Sequence, residues 1–262
     1  MILASVITYE LSKRVGKTKA AEQVHRHAVS TMVGPGETVL PAIEVVRELR
    51  KHQELALLVD AGGTSIGHAR SRALSVATAS PADIWISLDD DTKCSPETVN
   101  HLLSSLDPTM PQIVIVPCLL RQETQCANVT MDPAGKLDRI TRTGAHLRRA
   151  LYGGFGIVAV TRAALDELAR SYADLSFLDD DGQVRSGVFC EFIREQWWFR
   201  EDYAFFDRVR ALPHIRVEAL CSGETDHDGY KLRLELLENV PQIPRPPVEL
   251  GGKREATSLV LG

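Results

Sequence analysis

Three consecutive aspartates, Asp89-Asp90-Asp91, close an apolar run that begins Ile84-Trp85-Ile86. Carboxylates packed side by side repel one another, and a cluster at the mouth of a buried strand points to a divalent cation that offsets the repulsion. Asp89 and Asp91 are two residues apart and share one side of an extended backbone, so one can serve a metal while the other serves a neighbouring part of the same ligand. The competing reading is a solvated turn ahead of the helix opened by Ser95-Pro96-Glu97. A second D-x-D, Asp179-Asp180-Asp181, is followed by Gly182 and flanked by Phe177 and Val184. That setting reads as a turn between two short strands.

The elements that must position these carboxylates alternate between strand and helix. Ile2 to Thr8, Leu55 to Val59, Ile84 to Leu88, Ile113 to Val116, Ile157 to Val160 and Ile215 to Leu220 are short apolar runs of the kind buried in a parallel sheet. Between them, Ile43, Val46 and Leu49 follow Pro41; Ala69, Ala73 and Ala77 give a narrow small-residue face; and Val99, Leu102, Leu103 and Leu106 repeat at helical spacing behind Ser95-Pro96. A further helix runs from about Phe199 to Ala211. The segment from 10 to 40 reads as a helix with a long loop or as a lid. The expectation is one α/β domain over residues 1–238, a mostly parallel central sheet flanked by helices, with Thr8, Asp60 and Asp89 at one edge of it. A Pro-rich extended tail over 239–262 follows, carrying Pro241, Pro244, Pro246 and Pro247.

Composition removes several function classes. A chain of 262 residues with a net charge of −5 is poorly suited to gripping a polyanion, which argues against nucleic acid as a partner. The five cysteines are scattered without a C-x-x-C pair, so neither a disulfide framework nor a zinc site is indicated, and a reducing compartment fits. No apolar run reaches the roughly 20 residues of a membrane span, and Met1-Ile2-Leu3-Ala4 has no basic leader, so a cytoplasmic location is expected.

Thr8-Tyr9-Glu10, Asp60-Ala61-Gly62-Gly63-Thr64-Ser65, Ala69-Arg70-Ser71 and Leu88-Asp89-Asp90-Asp91 occur in that order, followed by Gly153-Gly154-Phe155, Glu201-Asp202-Tyr203 and His227. This series resembles the motifs of glycosyltransferases of the GT-A fold, most closely the inverting family-2 type, and the resemblance spans about Met1 to Tyr230. It implies a Rossmann-like GT-A domain that moves a sugar from a nucleoside-diphosphate donor to an acceptor hydroxyl with Mn²⁺ or Mg²⁺. In that reading Asp91 and His227 hold the metal, and the imidazole favours Mn²⁺. Thr8, Tyr9, Asp60, Arg70, Asp89 and Asp90 belong to the donor side. Tyr9 would stack on the base and Asp60 would accept a ring N–H, a pairing that favours UDP or GDP donors. Arg70 approaches a carboxylate of the site, or is a structural ion-pair residue.

On the acceptor side the resemblance places Gly153 and Gly154, which leave room for close approach or simply make a turn. Trp197 and Trp198 stack on a sugar or anchor a core. Asp202 is the general base of an inverting transfer, with Glu201 as its substitute, and a carboxylate there also suits a helix N-terminus. Two alternatives stand beside this reading. One is an Mg²⁺-dependent phosphatase of the haloacid-dehalogenase type, whose D-x-D-x-T motif is matched here with Thr92 one place early. The other is a non-catalytic nucleotide- or sugar-binding module on the same frame.

Overall fold

Residues 1–8, 16–29, 40–60, 65–120, 126–134 and 137–244 are described by a computed structural model. The first half alternates as expected: β1 (Ile2–Ile7), α1 (Lys17–Val29), α2 (Pro41–Arg50), β2 (Leu55–Asp60), α3 (Ile66–Ala79), β3 (Ile84–Asp89), a short β4 (Thr92–Cys94), α4 (Pro96–Ser105) and β5 (Gln112–Ile115). Then come β6 (Val129–Met131), β7 (Leu137–Ile140), β8 (His146–Gly153), β9 (Ile157–Thr161) and α5 (Arg162–Ser171). Two hairpins follow, β10 (Ser176–Leu178) with β11 (Val184–Ser186) and β12 (Phe192–Arg194) with β13 (Trp197–Phe199). The chain continues through α6 (Glu201–Arg210), β14 (Arg216–Leu220), β15 (Glu224–His227) and β16 (Tyr230–Arg233).

Among the described residues the central sheet has nine strands in the order β2-β1-β3-β9-β5-β14-β8-β6, with β7 also paired to β8. Following the pairings along it, all strands but β8 and β9 run in one direction. The sheet is therefore mostly parallel in strand direction. The two reversed strands flank the loop of Gly154-Phe155-Gly156 and return the chain across the sheet.

The strands that carry the expected site are adjacent and in register. Ile7 pairs with Asp60 on one side and with Asp89 on the other, and the Thr8 N–H donates to the Asp60 carbonyl at 3.0 Å. Thr8, Asp60 and Asp89 therefore lie at the carboxyl ends of three neighbouring parallel strands, with β1 between the other two, where α/β sheets open a crevice for ligands. On α3, Ala69, Ala73 and Ala77 are fully buried, so small side chains let this helix sit close to the sheet. Ser95 caps α4, its hydroxyl accepting the Thr98 N–H at 3.2 Å, and Pro96 supplies the preset first helical residue.

An aromatic block sits under α6. Phe155 makes edge-on contacts with Phe189 and Phe205 at centroid distances of 4.9 Å each, and Phe189 stacks on Phe205 at 4.7 Å. All of these rings are essentially without solvent contact. Aromatic pairs of this kind add roughly 0.5–1.5 kcal/mol each beyond burial, which fixes the helix start relative to β9. The Pro-rich segment begins along the sheet edge: the Ala127 N–H donates to the Pro241 carbonyl at 2.7 Å and the Ile243 N–H to the Ala127 carbonyl at 3.1 Å. Tyr203 Oη donates to the Pro244 carbonyl at 3.0 Å.

Candidate active site

β4 continues the chain directly after the aspartates and pairs antiparallel with β15, so that His227 stands opposite Thr92. The Asp228 N–H donates to the Asp91 carbonyl at 3.2 Å and extends this pairing. As a result His227 Nε2 lies 3.3 Å from Asp91 Oδ1. The other ring nitrogen, Nδ1, is 2.7 Å from the Leu119 carbonyl oxygen. A carbonyl only accepts, so Nδ1 carries the hydrogen and, in the neutral ring, Nε2 keeps its lone pair on the Asp91 side. A second-nitrogen hydrogen bond to a backbone carbonyl is the arrangement that orients ligating histidines.

This pair fits a divalent cation. Ligand atoms about 2.1 Å from a metal and at right angles to each other stand about 3 Å apart. Among the described residues no group of three His, Cys, Asp or Glu side chains forms around a common point. Two protein ligands suit an ion such as Mg²⁺ or Mn²⁺ whose shell is completed by phosphate oxygens and water.

Arg70 is the other centre. It projects from α3, is 2% exposed, and stacks with its guanidinium carbon 5.0 Å from the centre of the Phe155 ring. Nη2 donates to both Asp89 oxygens at 3.0 and 3.1 Å, while Nη1 donates to Glu201 Oε1 at 3.1 Å and to Asp202 Oδ1. The nearby Phe155 N–H exerts a weak downward pull on the Asp202 carboxyl. One buried cation is thus shared by three carboxylates from two elements. Burial alone would depress the guanidinium's pKa, but Asp202, Asp89 and Glu201 outweigh it and the net direction is upward. Burial pushes the Asp202 carboxyl up to about 7, with Glu201 and Asp89 adding to the rise and Arg70 opposing it. Burial likewise raises Asp89, against the pull of Arg70.

Asp202 and Glu201 are the first residues of α6, whose N-cap is Arg200 without a side-chain cap bond. Asp202 turns to Arg70 rather than capping the helix, although its place in the first turn still favours a negative charge. Access to this position depends on Gly67, one turn before Arg70 on α3. A Cβ there would stand 3.0 Å from Glu201 Cβ and 3.2 Å from the Phe189 carbonyl oxygen. Gly67 is not among the residues singled out from the sequence; its signal there is a glycine three residues ahead of a helix arginine.

The remaining candidates divide. Asp60 is 5% exposed and accepts from Arg72 through both oxygens, Nε at 2.9 Å and Nη2 at 2.6 Å. Arg72 is likewise absent from the sequence-based candidates, and it takes one acceptor site on each Asp60 oxygen, leaving the others for a ring N–H. Thr8 is fully buried and its hydroxyl has no hydrogen-bond partner among the described residues. Tyr9 lies outside the described residues. Asp90 is 8% exposed, and its backbone is tied to the Ile7 carbonyl at 3.2 Å and to the Ala42 N–H at 3.4 Å.

On the acceptor side the structure supplies other reasons for several residues. A Cβ on Gly153 would stand 2.6 Å from Ile115 Cδ1, and one on Gly154 would stand 2.9 Å from Asn128 Nδ2. The space above both glycines is filled by the protein's own side chains rather than left open for an acceptor. Trp197 packs inward with Phe199 and Ala204, whereas Trp198 is 56% exposed with the Arg200 guanidinium 5.5 Å from its ring. Of the two tryptophans, Trp198 is the one with a face open to solvent. The second D-x-D is the turn expected: Gly182 has φ 75° between β10 and β11, and the buried Asp179 binds His68 Nε2 at 2.6 Å and Arg185 Nε at 3.2 Å.

The five cysteines carry free thiols, and no helix among the described residues is long and apolar enough to cross a membrane.

No protein-family model and no curated protein matches the chain. Among solved structures it is similar to A197 from STIV, at 15% identity and a TM-score of 0.45 over 87% of this chain and 85% of that one. Mannose-1-phosphate geranyltransferase from Thermus thermophilus matches at 13% identity and a TM-score of 0.39, over 84% and 73% of the two chains. A CMP:2-keto-3-deoxy-manno-octonic acid synthetase complexed with CTP matches at 16% identity and a TM-score of 0.37, over 85% and 92%.

Proposed function

We propose that the protein is a metal-dependent glycosyltransferase that moves a sugar from a nucleoside-diphosphate donor, UDP or GDP favoured, to an acceptor hydroxyl with inversion. The observation that carries this reading is the meeting of two sets at one end of the sheet: Asp91 with His227, and Asp202 with Asp89 through Arg70. The first set suits a cation and the second holds a carboxylate whose pKa is lifted toward neutrality beside a donor-side aspartate.

Asp91 and His227 would hold Mn²⁺ or Mg²⁺, which when bound neutralises charge growing on the leaving diphosphate. Asp89 accepts hydrogen bonds from sugar or ribose hydroxyls. Asp202 in its ionised form takes the acceptor's O–H proton as that oxygen bonds to the anomeric carbon, and the carbon–oxygen bond to the diphosphate breaks with its electron pair leaving on the phosphate. A pKa near the working pH suits this task, because the base must be ionised yet still basic. The phosphatase alternative is disfavoured, since the threonine its motif requires falls one place early at Thr92 and the acidic strand is the third in the chain rather than the first.

A thermal-shift panel of UDP-, GDP-, CDP- and ADP-sugars with and without Mn²⁺ tests the reading. Stabilisation by one nucleotide that requires the metal is expected, by binding linkage. No shift with any of them turns the weight to the phosphatase or to a module that binds another ligand.

A further inference from the structure

We propose that Arg70 is a positioning residue that sets the catalytic carboxylate by tethering Asp202 to the donor-side strand through Asp89; this rests on the reading of Asp202 as the base. Helix α6 has no side-chain cap at its start, so the direction of Asp202 is set by its partner, Arg70 Nη1. The opposite edge of the same guanidinium grips both oxygens of Asp89. A planar fork that is 2% exposed and stacked on Phe155 has little freedom, so moving one carboxylate moves the reference for the other. Gly67 keeps α3 close enough to Glu201 for this span to be made. Arg70 Nε is buried without a hydrogen-bond partner, so the hydrogen bonds that hold the side chain are those its two Nη groups give to the carboxylates. Its aim at the carboxylates is retained despite that cost.

The groups facing Asp202 are Arg70 from α3, Asp89 from β3, Glu201 on its own helix, and the Cys118 thiol and Tyr203 phenol, both of which feel its charge.

The test is a double-mutant cycle on the full chain with Mn²⁺, using UDP-glucose, UDP-N-acetylglucosamine and GDP-mannose as donors and transfer to water as the reaction. Arg70→Lys keeps a buried positive charge but loses the fork. It is expected to lower kcat by roughly 10²-fold with donor KM nearly unchanged, as for a misplaced catalytic group, and to shift the acid limb of the kcat–pH profile upward, because a looser cation depresses Asp202 less. In an Asp202→Asn background Arg70→Lys should cost almost nothing further. Arg70→Gln, shorter and neutral, should show the same pattern with a larger loss and serves if the lysine variant folds poorly. An equal loss in both backgrounds, or a rise in donor KM alone, overturns the positioning role. Full turnover by Asp202→Asn itself overturns the base assignment instead, and no turnover of any donor by the wild-type chain overturns both.

Discussion

His227 and Asp91 face each other at 3.3 Å only because β15 pairs with the short strand β4, while the other ring nitrogen of His227 is committed to the Leu119 carbonyl. A ring held in one orientation presents one nitrogen to the aspartate. Asp91→Ala and His227→Ala should each abolish Mn²⁺-dependent stabilisation by a nucleotide sugar; the melting temperature of the free protein should shift little for the part-exposed Asp91 and fall for His227, whose loss removes the donor to the buried Leu119 carbonyl at a cost of about 1–3 kcal/mol. Thermal melts with and without Mn²⁺ and donor check both halves. Metal-dependent stabilisation that survives either substitution removes that residue from the metal site.

Asp202 should impose a pH limb on turnover. Its carboxyl is raised to about 7 by burial first and by Glu201 and Asp89 next. Below that pH the group is protonated and cannot take the acceptor proton, so log kcat should fall with unit slope as pH decreases through about 7 and level off above it. Asp202→Asn should remove the limb and lower kcat by roughly 10²–10⁴-fold while donor affinity stays. A flat wild-type profile between about pH 5 and 9, run at saturating donor, would assign the proton transfer elsewhere.

Gly67→Ala probes the seam between α3 and α6. The added methyl would meet Glu201 Cβ at 3.0 Å and the Phe189 carbonyl at 3.2 Å, and neither backbone can withdraw cheaply. Overpacking of this kind costs roughly 1–3 kcal/mol. A lowered melting temperature is expected, accompanied by a fall in kcat larger than the fall in folded fraction, because the Arg70–Asp202 contact lies one helical turn away. Unchanged stability and turnover would show that the seam relaxes freely.

The two tryptophans should separate by stability. Trp197 belongs to the small cluster with Phe199 and Ala204, so Trp197→Ala should cost about 1–3 kcal/mol in chemical denaturation. Trp198→Ala, at a ring that is 56% exposed, should stay within about 0.5 kcal/mol. The reverse order would mean that the β12–β13 hairpin presents its other face.

The carboxyl-end carboxylates were legible in the sequence because each rests on a local pattern. An apolar run of β-type residues ends at Thr8, Asp60 or Asp89, and the register of β2, β1 and β3 brings those ends together. The alanine face of α3, the cap of α4, and the turn at Asp179-Asp180-Asp181 are equally local and lie where the residue types imply. The parts that the sequence could not supply are pairings between distant segments. Nothing near Thr92 announces a strand, and β4 exists because β15 hydrogen-bonds to it. Gly153 and Gly154 look like room for a ligand until Ile115 and Asn128 occupy the space, and Arg72 is anonymous until Asp60 reaches it. Arg70 gives the plainest case. A helix arginine is usually a surface residue, and here it becomes the buried counter-charge of the half-buried Asp89, Glu201 and Asp202 only because the fold brings α3, β3 and α6 together, where the guanidinium without those partners could not stay.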